Sequence, residues 1–231
     1  MQQPGNHMSS TSGQVLTYQG LKAKQRQLRE GFPDSLGLRV HRAISWLQRA
    51  ELAADDHDAA FIFYWISFNA AYAEDVQTAI STGERSAFDS YFERLLNLDT
   101  RRRIYDAIWQ RFSASIRLLL DNRYVFQPFW NHHNQIDGYD DWEDRFARSK
   151  RRTQSALRGQ DTKTILATLF DRLYVLRNQL VHGGATWNSS VNRSQVKDGA
   201  QIMASLLPLF IDLMMDDPNV SWGTPYYPVV D

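Results

Sequence analysis

The sequence predicts an all-α protein, an up-and-down helical bundle carrying a helical and loop-rich insertion. Three observations carry that expectation. Apolar residues recur at spacings of three and four along nearly the whole chain, the period of a helix with one buried face. No stretch alternates apolar and polar residues as a half-buried strand would. Hydrophobic residues make up 43% of the 231 residues and aromatics 13%, which suffices to fill one sizeable core.

The elements follow in order. Residues 1–33 read as a flexible leader and a basic segment, roughly 14–30, with Lys22, Lys24, Arg26 and Arg29. That segment ends on the breaker Gly31-Phe32-Pro33. Asp34 or Ser35 should cap the next helix, whose stripe is Leu36, Val40, Ala43, Leu47 and Ala50. The acidic run Ala54 to Asp58 interrupts. The helix after it, about 58–80, is apolar all round at its centre and should lie inside the bundle. Ser81 to Gly83 make a turn. A helix near 86–98 presents Phe88, Tyr91, Phe92 and Leu95. Another, about 100–122, uses Ile104, Ile108, Phe112 and Leu119.

From 123 to 140 the period fades among aromatics, a proline and a glycine, so a long loop is expected. The charged segment 141–158 reads as a short solvated helix. A strong helix over about 161–182 follows, with Ile165, Leu166, Leu169, Phe170, Leu173 and Leu180. The last, about 194–215, has the stripe Val196, Ala200, Met203, Leu207, Phe210 and Met214. The folded domain is therefore placed at 34–215, with the insertion at about 84–160. The aromatic, proline-rich tail 216–231 should lie extended over the bundle or on a partner.

Composition narrows the function classes. Lys plus Arg and Asp plus Glu both number 26, so the net charge is zero and only a local patch would attract nucleic acid. There is no cysteine, which excludes disulfides and thiolate metal sites and fits a reducing, cytoplasmic setting. The most apolar run, Phe61 to Ala73, is 13 residues and holds Ser67 and Asn69. A membrane span needs about 20 residues, so none is expected. The N-terminus lacks the basic-then-apolar pattern of a secretory signal. His132, His133, Asp137 and Asp140 cluster in the chain, but adjacent histidines do not readily share one centre and no helical i, i+4 histidine pair exists. No metal and no cofactor is expected; glycine-rich phosphate loops and nucleophile elbows are both missing.

One stretch carries chemistry: Leu-Arg-Asn-Gln-Leu-Val-His-Gly-Gly, from Leu176 to Gly184. RNA is cut without metal when its own 2′-hydroxyl attacks the adjacent phosphorus. That reaction needs a base, an acid for the leaving 5′-oxygen, and cationic donors for the pentacoordinate intermediate. A histidine, with an unperturbed pKa of about 6.5, moves protons near neutral pH. An arginine fork matches phosphate oxygens and stabilises charge that grows in the transition state. Arg177 and His182 supply these groups, and Asn178 can donate to phosphate or orient the histidine. Five residues on a helix are separated by about 140°, so the two side chains are not stacked neighbours. They converge only if the helix loosens at its glycine-capped end, by Gly183 or Gly184, or if two copies pair. Asn69, a polar residue in an apolar helix, needs partners if buried, and is a candidate for orienting this site. Arg101, Arg102, Arg103, Lys150, Arg151 and Arg152, interleaved with aromatics, are candidate RNA contacts.

The stretch resembles the HEPN superfamily, in which an Arg, four to six residues and a His end a long helix, often with a polar residue straight after the Arg. Upstream, Arg42 to Ala73 is similar to the helix pair of larger HEPN domains: a Trp-Leu-x-x-Ala helix at Trp46 to Ala50, then Trp-Ile-x-Phe-Asn-Ala-x-Tyr at Trp65 to Tyr72. It looks most like the Apea-like group, and the resemblance spans about 36–215. It implies a four-to-five-helix domain that dimerises and a metal-independent ribonuclease, used in toxin–antitoxin, phage-defence or RNA-processing systems. Arg177 and His182 would be catalytic and Asn178 supportive, with RNA as substrate and an antitoxin as a possible protein partner. Some members bind without cutting, so the alternative is a non-catalytic RNA-, nucleotide- or protein-binding dimerisation module. The insertion at 84–160 exceeds a minimal HEPN domain and either shapes a groove, binds a partner or blocks the cleft.

Overall fold

The computed structural model describes residues 16–73, 84–225 and 227–229. The leader up to position 15, the expected helix extension at 74–80 and the turn at 81–83 lie outside the described residues. Ten α-helices and no β-strand are present among the described residues. They are α1 (Tyr18–Leu28), α2 (Asp34–Glu51), α3 (His57–Tyr72), α4 (Glu84–Leu98), α5 (Arg103–Asp106), α6 (Ser113–Leu120), α7 (Gln127–His133), α8 (Trp142–Gly159), α9 (Thr162–Val181) and α10 (Arg193–Met214).

The expected stripe of α2 is fully buried, from Leu36 to Ala50. Its cap differs from expectation. Pro33 is the capping residue and no side chain bonds there; Asp34 instead lies in the first turn, where its charge meets the helix dipole. Asp56 ends the acidic run by capping α3, its Oδ1 accepting from Ala59 N–H at 3.0 Å. Helices α2 and α3 pack along their length as a hairpin. The fully buried Ser67 donates its hydroxyl to the Ala43 carbonyl at 2.6 Å, tying the two together.

The core is aromatic. Phe68 of α3 lies 4.5 Å from Phe170 of α9, and Phe92 of α4 lies 4.9 Å from Phe170 and 5.9 Å from Phe210 of α10. Phe88, Tyr91, Phe92 and Leu95 are all buried, so α4, the first helix of the expected insertion, belongs to the core. Helix α1 buries Leu21, packs on α2 and α10, and donates Tyr18 N–H to Glu51 at 2.8 Å. Helix α10 crosses α3 closely at Gly199, where a Cβ would meet the Phe61 ring at 3.0 Å.

Two expectations in the insertion are corrected. The helix expected over 100–122 is not continuous. α5 runs into a π-helical stretch, Ala107–Arg111, breaks at Phe112 (φ −120°) and restarts as α6. The π-turn shifts the register by about one residue, which an apolar stripe alone does not reveal. Residues 123–140 are not one loop. They hold a 3₁₀ turn, Arg123–Val125, and α7, with Pro128 in its first turn where no N–H is needed. Helix α8 is 18 residues long rather than short, and buries Thr153 and Ala156.

The tail lies over the bundle in its described part, with Trp222 buried. The buried Arg39 of α2 donates to the carbonyls of Ala71, Ala73, Gly223 and Thr224, at 3.1, 2.7, 3.4 and 3.0 Å. Among the described residues no helix is long and apolar enough to cross a membrane.

Candidate functional site

Helix α9 is anchored by Leu173 and Leu176, both fully buried, and emerges from the core over its last turn. Arg177, Asn178, Gln179 and Leu180 are half-buried, while Val181, His182 and the glycines are exposed. Leu180, expected in the core stripe, is therefore at its margin. His182 is the C-cap residue and Gly183 follows in the left-handed region at φ +69°. Gly183 N–H donates to Leu180 O at 3.3 Å and Gly184 N–H to Gln179 O at 2.7 Å. This is a Schellman closure, which satisfies the last carbonyls and stops the helix sharply.

Arg177 donates through Nη1 to Asn178 Oδ1 at 2.8 Å. No side-chain hydrogen bond joins either residue to the His182 ring among the described residues. The helix stays regular through Val181, with His182 N–H donating to Asn178 O at 3.0 Å. The loosened end considered from the sequence is therefore not observed, and the angular separation of an ideal helix persists.

The loop after the motif is fixed to α3. Asp58 accepts from Arg193 Nη1 at 2.6 Å and from Asn188 N–H at 3.3 Å, and Asp56 accepts from Trp187 Nε1 at 3.0 Å. The Ala59 N–H first, and the Trp187 ring N–H after it, hold the Asp56 carboxyl below the usual aspartate range. The acidic run was visible in the sequence, but its role in anchoring a loop over 130 positions away was not.

Asn69 is half-buried, on the side of α3 that also carries Ile62, Phe63 and Ile66 at intermediate burial. Among the described residues no hydrogen bond joins it to Arg177 or His182, and the polar residues that α3 buries are Asp58 and Ser67. The basic residues divide. Arg101, Arg102, Arg151 and Arg152 are exposed, with the Arg102 guanidinium over the Tyr105 ring at 4.0 Å. Arg103 is instead engaged by acids: Asp212 at 2.5 Å, Asp216 at 3.4 Å and Asp99 at 3.8 Å. Lys24 of α1 joins the same cluster, 2.7 Å from Asp212, so this charge network clasps α1, α5 and α10. Lys150 pairs with Asp121. Among the described residues no group of three or more histidines and carboxylates is set to hold a metal, although His132 approaches Asp140 at 3.5 Å.

Two features were not anticipated from sequence. Arg172, also on α9, is buried, donates to Ser149 Oγ at 2.9 Å and lies over the Phe126 ring at 4.5 Å. The signal was a charge inside an apolar stripe. The second is a cleft of about 510 Å³ between the end of α6, the turn before α7, α8 and the start of α10. Gln179 is tied to the backbone of one lining residue, its Nε2 donating to the Tyr124 carbonyl at 2.6 Å. Comparisons with protein-family models, with curated proteins and with solved structures find no match for this chain.

Proposed function

We propose that the chain is a HEPN-type endoribonuclease that cuts RNA without a metal, at a composite site built by two copies. The observation that carries this reading is the half-buried Arg177–Asn178 pair on the last turn of α9, next to an exposed His182 where the helix stops. The 2′-oxygen attacks phosphorus, the 5′-oxygen leaves, and the products are a 2′,3′-cyclic phosphate and a 5′-hydroxyl. Asn178 takes one of the five guanidinium donors and steadies the fork; the others face the phosphorane oxygens. His182, with its ring in solvent, moves the proton. Because the two side chains diverge on a regular helix, Arg177 of one copy works with His182 of the other. A toxin–antitoxin or phage-defence context suits such an activity, with an antitoxin as the protein partner.

The test is cleavage of single-stranded RNA in the presence of a chelator. Wild type should cut, and Arg177→Ala and His182→Ala should each lose at least about 100-fold in rate. An equimolar mixture of the two variants should recover up to about a quarter of wild-type activity, since half of the dimers formed hold one intact site. Activity that requires Mg²⁺, or that survives both substitutions, overturns the mechanism.

A second reading has one observation in its favour: no side-chain hydrogen bond links the His182 ring to Arg177 or Asn178 within a chain. On that reading the protein binds RNA, a nucleotide or a protein partner through this surface without cutting. RNA retention with no cleavage by wild type would select it.

A further inference from the structure

The cleft beside the end of α9 has the walls of a base-binding site. Its volume, about 510 Å³, falls within the range of about 300–1,000 Å³ of small-molecule sites. One wall is aromatic. Tyr124 lines the cleft and remains 48% exposed, yet its ring is held from other sides. The Arg123 guanidinium lies 5.0 Å over it and donates to its hydroxyl at 3.0 Å, and the Phe129 ring meets it edge-on at 5.5 Å. An exposed ring already fixed in place loses little entropy when a flat ligand stacks on it. Leu119 and Phe146 continue the apolar lining.

The lining also holds polar, accepting groups, Asp198 and Gln195 of α10. Asp198 receives the Ser115 hydroxyl at 3.3 Å through one oxygen, and an ionised carboxylate accepts further bonds on the other. A stacking ring and a carboxylate lining one cleft suit a planar heterocycle that offers hydrogen-bond donors along one edge. Guanine offers two adjacent donors, the ring N–H and the amino group, which match a carboxylate. Uracil offers a single N–H between two carbonyl oxygens, which a carboxylate repels. Arg123, also in the lining, supplies a cation for the attached phosphate.

We propose that this cleft binds a guanine base, stacked on Tyr124 and read by Asp198. The proposal deepens the ribonuclease reading, and rests on it only in naming RNA as the carrier of the base. The Gln179–Tyr124 bond then couples the base pocket to the turn of α9 that bears Arg177.

The experiment uses the full chain with Arg177→Ala, so that nothing is cut. Binding is read by fluorescence anisotropy of labelled eight-residue oligouridylates, either all uridine or with one central guanosine. The guanosine oligomer should bind at least about tenfold more tightly, the scale of one good base contact. Replacing guanosine by inosine, which lacks the amino group, should lose part of that gain. Asp198→Asn should abolish the preference by weakening the guanosine oligomer, without weakening the all-uridine oligomer. Tyr124→Ala should weaken both oligomers, and Tyr124→Phe, which keeps the ring, should not. Guanosine monophosphate as competitor identifies the source. If it binds with the same dependence on Asp198 while oligomers do not, the ligand is a free nucleotide, and RNA as the carrier of the base is overturned. Equal binding of both oligomers with no effect of the monophosphate, or a guanine preference that survives Asp198→Asn, overturns the pocket without touching the cleavage result.

Discussion

Asp161 shows how one side chain sets a helix start. It precedes α9, and its carboxylate accepts the Thr164 N–H at 3.0 Å. That bond first, and the Thr164 hydroxyl after it, hold the carboxyl below the ordinary aspartate value. A depressed folded-state pKa means that the cap contributes fully above the unfolded value, about 3.9, and is lost as pH falls through the folded value. Asp161→Ala should therefore cost about 1 kcal/mol at pH 7 in urea unfolding. The gap to wild type should narrow as the pH is taken below 3.9; a gap of equal size at pH 7 and pH 3 would refute the assignment. Asp161→Asn should keep much of the cap and flatten its acid dependence. The same scale shows what the sequence made legible. Arg177, Asn178 and the glycine stop were readable because helix-end signals are local. Asn69 was not, since its burial depends on which side of α3 its neighbours leave open.

Between elements, packing decides more than propensity. Gly199 sits inside α10, where alanine would normally gain about 1 kcal/mol. Here an added Cβ meets Phe61 at 3.0 Å, Leu176 at 3.2 Å and Leu173 at 3.3 Å. All three belong to helices that the close crossing of α10 brings together, and their rings and methyls have little room to shift. Gly199→Ala should destabilise by about 1–3 kcal/mol in chemical denaturation, a reversal of the propensity order. A neutral or stabilising result would mean that α10 can slide from α3 at little cost. Most helices were legible for the converse reason: their stripes repeat over many residues, as in α2, α9 and α10. The π-stretch after α5 and the short α7 were not, because a one-residue register shift and a seven-residue helix leave almost no periodic trace.

At the scale of the molecule, α1 and the described part of the tail are held on the bundle by charge and by one tryptophan. Lys24 and Arg103 meet on Asp212 and Asp216, and Arg39 holds the tail through the Gly223 and Thr224 carbonyls. From the sequence the tail could lie over the bundle or on a partner, and its anchor could not be named, because a carbonyl acceptor has no residue identity. Trp222 is buried and meets the Tyr91 ring at 5.5 Å, while the next two carbonyls accept from Arg39. Arginine, rather than lysine, suits that position, since a planar fork reaches four carbonyls at two sites. Trp222→Ala should cost about 3 kcal/mol, and Arg39→Ala a similar amount, because each leaves a cavity or unpaired polar groups. Both changes release the same segment, so their effects should not add. The double variant should be less destabilised than the sum by more than about 0.5 kcal/mol, and limited proteolysis should cut the tail first in all three. Strict additivity would show that Trp222 and Arg39 hold the tail independently, and that the segment is not docked as a unit.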